Sequence, residues 1–315
     1  MPIRAINLVA YNLRMVRVGY LGPKGSFSHE AVSTLNDVEA VAYDSIGDLL
    51  SAVTEASVDK ALVPLENAIE GTVSATIDGL VFDHELIIEH EIVIPIQLHL
   101  LARPGIELGD VKKVVSYVHA LAQCRGYLNK LGVSTGQTMS TSQAASEVAA
   151  SSEPVAAVGS AMAGKLFGLN SLATNIEDHP GNVTRFVLVG RDAITSPTGH
   201  DRTSIVCFQD ADRPGSLYAI LGRFAARNIN LTKLESRPTK RALGDYCFVM
   251  EFEGHVADDS VSELLTDLQA HLAPVKFLGS YPVTGDTAQT RREEVGEARK
   301  SASDWISSLK ARVRH

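Results

Sequence analysis

Val16-Arg17-Val18-Gly19-Tyr20-Leu21-Gly22-Pro23-Lys24-Gly25-Ser26-Phe27 reads as a buried strand that runs through a Gly/Pro turn into a helix. The mostly apolar run from Val16 to Leu21 suits a strand inside a sheet. Gly22 to Ser26 supplies the turn, and Phe27 to Leu35 fits a helix with Ser26 in the N-cap place. A strand feeding a helix in this way is the repeating step of an α/β sheet.

The step recurs downstream. Asp48 to Glu55 reads as helix and Lys60 to Pro64 as strand. Val111 to Ser116 reads as strand, followed by a helix from Ala120 to Leu131 that closes at Gly132. Ser142 to Ser151 is helical, Val155 to Val158 a strand, Ala161 to Phe167 a helix, and Arg185 to Val189 a last strand. Residues 191–200, with Thr195, Ser196, Pro197, Thr198 and Gly199, read as a linker.

The pattern then changes. Arg202 to Phe208 is a strand, and Pro214 to Arg227 a helix with Leu217, Ile220, Leu221 and Phe224 on one face. Asn230 to Arg237 and Tyr246 to Phe252 are strands, Val261 to Leu272 a helix, and Val275 to Tyr281 a strand. The order βαββαβ in about 80 residues is the ferredoxin-like arrangement. The residues up to Met15 read as a short extension. The polar tail, residues 283–315, has Trp305, Ile306 and Leu309 as its few apolar residues.

The length of 315 residues suits two or three compact units. A net charge of −8 speaks against nucleic acid as a partner and requires a locally positive pocket for any anionic substrate. Cys124, Cys207 and Cys247 are widely spaced and contain no CxxC, which suits reduced thiols in the cytoplasm. No apolar run is long enough for a signal peptide or a membrane span. No histidine or cysteine spacing suggests a metal site, and no cofactor motif is present.

Four segments could carry chemistry. Gly22 to Ser28 joins a strand to a helix, where free N–H groups bind anions, although Ser26 can equally be a plain N-cap. Glu66-Asn67-Ala68-Ile69-Glu70-Gly71 follows a strand and offers a carboxylate and an amide to a cleft, or else a capped turn. Ser116 ends a strand, and Gln123 lies one turn inside the next helix. Asn182-Val183-Thr184-Arg185-Phe186 enters the last strand of the α/β region with a hydroxyl and a fixed positive charge. Strand alternation places Thr184 and Arg185 on opposite faces unless the strand is irregular there.

Together these segments resemble the prephenate dehydratases. The family's GP-x-G-[ST]-[FY] is matched by Gly22 to Phe27, its E-N-S-x-x-G-x-V by Glu66 to Val73, its S-H-P-Q-A-x-x-Q-C by Ser116 to Cys124, and its N-x-T-R-F by Asn182 to Phe186. Ala68 replaces the usual Ser, and Tyr117-Val118-His119 replaces His-Pro-Gln. The second domain resembles an ACT domain, with Glu235-Ser236-Arg237-Pro238 in the place of the ESRP signature and Gly215-Ser216-Leu217-Tyr218 in that of G-A-L-V.

The resemblance implies a monofunctional enzyme that converts prephenate to phenylpyruvate in phenylalanine biosynthesis, losing water and carbon dioxide. It implies a two-lobed catalytic domain like the periplasmic binding proteins over residues 16–190, with lobes of about 16–94 plus 184–190 and about 97–183. The ACT domain would span residues 201–282. Thr184 is then the essential hydroxyl and Glu66 the candidate acid behind it. Ser26, Phe27, Asn67, Ser116, Gln123 and Arg185 are the expected substrate contacts. If Arg185 touches substrate, it is expected at the pyruvyl carboxylate, because an ion pair to the departing carboxylate would hold back its loss; otherwise it is structural on the far face. Gly215, Leu217, Glu235, Ser236, Arg237 and Pro238 are the expected phenylalanine site, in a homodimer or homotetramer. The rival readings are an arogenate dehydratase, which performs the same chemistry on an amino acid, and a non-catalytic amino-acid sensor. A DNA-binding regulator is disfavoured by the acidic charge.

Overall fold

A computed structural model of the chain describes residues 6–7, 15–208, 214–240, 244–271, 274–284, 304–306 and 308. Most of the first fifteen residues and of the 283–315 tail therefore lie outside the described residues. The chain divides into two compact units, residues 1–84 with 92–189 and residues 85–91 with 190–315.

The first unit starts with β1 (Ile6–Asn7), β2 (Val16–Leu21), α1 (Phe27–Val32), β3 (Leu35–Asn36), β4 (Val38–Tyr43), α2 (Ile46–Thr54) and β5 (Lys60–Asn67). It continues with β6 (Gly71–Thr72), α3 (Ser74–Asp78), β7 (Ile87–Pro95) and β8 (His99–Ala102). Then come β9 (Lys113–Ser116), α4 (Val118–Gln123), α5 (Arg125–Leu131), β10 (Ser134–Gln137), α6 (Thr141–Ala150), β11 (Val155–Gly159), α7 (Ala161–Leu166), β12 (Asn170–Ala173) and β13 (Val183–Gly190). One sheet has the order β4-β2-β5-β13-β7, and a second has the order β10-β9-β11-β8-β12.

The chain thus leaves the first sheet after β7, builds the second, and returns through β13. This is the expected two-lobed plan. The two crossing segments are bonded to each other: Ile96 N donates to Asn182 O at 2.8 Å, and Ile176 N donates to Leu98 O at 2.9 Å. Each sheet has its own apolar core, one around Val18, Leu62, Ile94 and Phe186 and the other around Leu100, Val114, Cys124 and Val158. Phe27 packs against both.

The 22–27 turn is docked on the second lobe. The Ser142 hydroxyl donates to Lys24 O, and the Ser160 hydroxyl donates to Gly25 O at 3.1 Å. Gly25 has φ +86°, and a Cβ there would lie 2.8 Å from the Ser142 hydroxyl. Gly25→Ala should therefore cost at least about 1–2 kcal/mol from backbone conformation alone, and the urea midpoint of the purified variant measures it. A midpoint equal to the parent's would remove this turn from the list of constrained positions.

Three of the expected boundaries come out differently. The first helix ends at Val32, because the Ser33 and Thr34 hydroxyls bond back to the His29 and Ala31 carbonyls, both at 2.7 Å, and Leu35 turns into strand. The helix expected over Ala120–Leu131 breaks at Cys124, whose ψ of 13° separates α4 from α5. Residues 85–91 group with the C-terminal unit rather than with the first lobe.

The second unit contains β14 (Asp201–Phe208), α8 (Ser216–Ala226), β15 (Leu231–Pro238), β16 (Tyr246–Glu253), α9 (Asp259–His271) and β17 (Val275–Pro282). Its sheet order is β15-β16-β14-β17, all antiparallel, with one apolar core around Ile205, Phe224, Met250 and Leu264. This is the expected ferredoxin-like βαββαβ fold. Residues 85–91 are tied in by charge: Arg202 donates to Glu91 at 2.6 Å, and Lys276 pairs with Glu85 at 2.9 Å. The Glu91 carboxylate also accepts from Thr284 N at 2.8 Å. No helix among the described residues is long and apolar enough to cross a membrane.

Candidate active site

β5 and β13 are antiparallel neighbours, and their register pairs Thr184 with Asn67 and Arg185 with Glu66. Each pair is closed by side chains. Asn67 Nδ2 donates to Thr184 Oγ1 at 2.9 Å, and Arg185 donates to a Glu66 carboxylate oxygen at 2.9 Å. Successive residues of a strand face opposite sides. The hydroxyl with its amide therefore lies on one face, and the ion pair on the other. A bulge does occur, but one step later, between Arg185 and Phe186, where β5 carries Leu65 as the extra residue.

Asn67 is held in one orientation. Its Oδ1 accepts from Ile69 N at 2.9 Å and Glu70 N at 3.0 Å, while Nδ2 also donates to Val183 O at 3.2 Å. A carbonyl can only accept, so the nitrogen must face Val183 and Thr184. The Thr184 oxygen, 8% exposed with its residue, thus accepts a hydrogen bond from Asn67. Its own proton is left to donate elsewhere.

Glu70, which the sequence motifs do not single out, is gripped from the second lobe. His119 Nδ1 donates to one carboxylate oxygen at 2.8 Å and Gln123 Nε2 to the other at 3.1 Å. The Gln123 carbonyl in turn accepts from Asn182 Nδ2 at 3.2 Å. Asn67, Glu70, His119, Gln123, Asn182 and Thr184 therefore form one bonded group across the two lobes. The signal for Glu70 and His119 would have been the helical spacing of His119 and Gln123, which puts two donors on one face of α4.

Other expected residues are placed differently. Ser116 is fully buried, and its hydroxyl donates to Val158 O at 2.7 Å, tying the ends of two strands. Ser26 caps α1, accepting from His29 N and donating to Leu21 O, each at 3.2 Å. Glu66 is bound to Arg185 on the face away from Thr184, which does not arrange it as an acid for that hydroxyl. Cys124 is a core thiol that burial, aided by Glu177 and Asp178, pushes up to about 12. Among the described residues no group of three or more His, Cys, Asp or Glu could hold a metal ion.

In the second unit, Glu235 to Pro238 end β15, and Arg237 donates to Glu235 at 3.0 Å. Phe208 and Arg237 both register with Cys247. The end of β14, from which the chain proceeds to Gly215, and the Glu235–Pro238 segment therefore share one end of the sheet. Gly215 starts α8 in the left-handed conformation. Leu217 packs on the domain core.

A family model for prephenate dehydratase matches residues 18–194. The chain belongs to the prephenate dehydratase family. A second model, for the ACT domain, matches residues 203–269. The prephenate dehydratase of Amycolatopsis methanolica is 38% identical over 302 residues, covering 94% of this chain and 98% of that one. The bifunctional chorismate mutase/prephenate dehydratase of Aquifex aeolicus is 41% identical over 273 residues, covering 85% and 74%. Among solved structures, the prephenate dehydratase in complex with L-Phe from Arthrobacter aurescens matches with a TM-score of 0.79 and 35% identity, covering 94% of this chain and all of that one. The chain is accordingly a lyase, and its reaction is the dehydration of prephenate.

Proposed function

We propose that Thr184 is the hydroxyl that carries the decarboxylating dehydration of prephenate to phenylpyruvate, and that Asn67 aims it. The observation that carries this is the Asn67-to-Thr184 hydrogen bond. With Nδ2–H occupying its oxygen, the Thr184 O–H points its proton at the ring hydroxyl. The carbon–oxygen bond breaks as that proton bond shortens. The ring carboxylate leaves as carbon dioxide, and its bonding pair passes into the ring, which becomes aromatic. A hydroxyl of ordinary acidity cannot surrender its proton unaided, so Thr184 acts as a donor in the transition state.

Arg185, 11% exposed and paired with Glu66 on the face away from Thr184, is assigned an orienting role. Glu66 then acts through Arg185. Phe27 and Gln123 complete the wall of the cleft. Residues 16–190 are assigned to catalysis, 191–200 to a linker, 201–282 to the ACT domain and 283–315 to a tail, in a cytoplasmic enzyme.

L-phenylalanine is the proposed effector, held by Gly215, Leu217 and the Glu235–Pro238 segment. The L-Phe complex of the Arthrobacter aurescens relative supports this. The end position of β15 in its sheet, with Leu234 exposed, supports pairing of two copies along that strand into a homodimer or homotetramer. The effector would favour a low-activity state by binding it more tightly.

One assay tests both parts: prephenate with and without L-phenylalanine, following phenylpyruvate. Turnover that falls as phenylalanine rises, with calorimetric binding of phenylalanine to the full chain, is the expected result. Absence of phenylpyruvate would end the catalytic reading, and absence of phenylalanine binding the regulatory one.

A further inference from the structure

Glu70 stands close to the reacting group without any part in the chemistry above. The Asn67 amide bonds both the Thr184 hydroxyl and the Glu70 backbone N–H, so Glu70 lies on the turn that orients the proposed catalytic hydroxyl. It is 40% exposed, and its partner His119 is 50% exposed. Neither is sealed in the core, and a ligand in the cleft can meet both. The His119 ring is steadied by Tyr117, stacked at 5.2 Å and 29°. His119 departs from the glutamine of the family pattern.

We propose that His119, by covering the Glu70 carboxylate together with Gln123, makes this site select the α-keto side chain of prephenate over the α-amino side chain of arogenate. The proposal rests on the prephenate reading and names its specificity. The two substrates differ where one has a carbonyl, an uncharged acceptor, and the other an ammonium, a cation with three donors. A bare carboxylate facing the bound side chain would attract the ammonium and repel prephenate, which carries two carboxylates. With one donor on each oxygen, the Glu70 carboxylate has fewer lone pairs left for an ammonium. Discrimination of this kind comes from what the wrong substrate is denied.

The test compares kcat/KM for both substrates in the full-length protein, reading phenylpyruvate from prephenate and phenylalanine from arogenate. His119→Ala uncovers Glu70, and the arogenate-to-prephenate ratio should rise about tenfold or more, mainly through KM. His119→Gln restores a neutral donor and should return the ratio toward the parent's. His119→Ala combined with Glu70→Gln removes the charge that attracts the ammonium and should cancel the gain. A structural role alone would lower both substrates together. A ratio unchanged in His119→Ala, with an active parent, overturns the assignment of His119 and leaves the prephenate reading intact. A parent that turns over neither substrate overturns both.

Discussion

Replacing Thr184 by alanine should lower kcat by about two orders of magnitude or more, a loss of about 2.7 kcal/mol in transition-state stabilisation. KM should change little, because the hydroxyl is assigned to a bond that strengthens only as the ring oxygen leaves. The fold should survive. Asn67 loses one acceptor but keeps Val183 O and both backbone donors on its Oδ1. A net cost of about 1 kcal/mol is expected from the lost hydrogen bond. Thr184→Ser retains the hydroxyl at the same carbon and should keep most of the turnover. Steady-state kinetics of the two variants, with thermal unfolding of each, give the answer. An alanine variant with near-parent kcat would exclude Thr184 from the chemistry.

The same strand shows where sequence reasoning reaches and where it stops. Alternation along Val183–Gly190 predicts opposite faces for Thr184 and Arg185, and the cross-strand pairs Thr184–Asn67 and Arg185–Glu66 lie on opposite faces. That finding separates Glu66 from the hydroxyl it is expected to serve. No periodicity could have shown it, because the register of β5 against β13 joins residues 119 apart in sequence for Arg185 and Glu66. The Glu70–His119 bond, between residues 49 apart, is hidden for the same reason.

β7 escapes the sequence on different grounds. Ile87–Pro95 reads poorly as a strand because Glu89, His90 and Glu91 interrupt its apolar run. Glu91 is nonetheless buried, since Arg202 lies 2.6 Å away to neutralise it. Burial of a charge is decided by its partner, and Arg202 is 111 residues further along the chain. By contrast the βαββαβ domain is legible almost to the residue. Its helices show one apolar face and its strands are short and uniform, so local pattern and tertiary role agree.

The second large effect is expected from Asn67→Asp, which keeps the shape of the side chain and reverses one hydrogen bond. Oδ1 would still accept from Ile69 and Glu70, so the turn between β5 and β6 should hold. The atom facing Thr184 and Val183 O would become a carboxylate oxygen. Next to it the Thr184 hydroxyl has only one favourable choice: to donate its proton to the new carboxylate, back into the protein and away from the substrate. The leaving hydroxyl would then lose its donor although Thr184 is intact. A fall in kcat of about a hundredfold is expected, comparable to removal of the hydroxyl itself. The carboxylate would also face the Val183 carbonyl, which lies 3.2 Å from Nδ2 in the parent, at a cost of about 1–3 kcal/mol in stability. Asn67→Ala separates the two effects. It abolishes the acceptor for the Ile69 and Glu70 amides and should loosen the turn, but it leaves the Thr184 hydroxyl free to rotate toward substrate. The alanine variant should therefore turn over prephenate faster than the aspartate variant, despite making fewer bonds. Paired measurements of kcat and unfolding midpoint for the two variants decide the matter. If Asn67→Asp keeps the parent's kcat, Asn67 does not aim the Thr184 proton, and its bonds serve only to hold the turn.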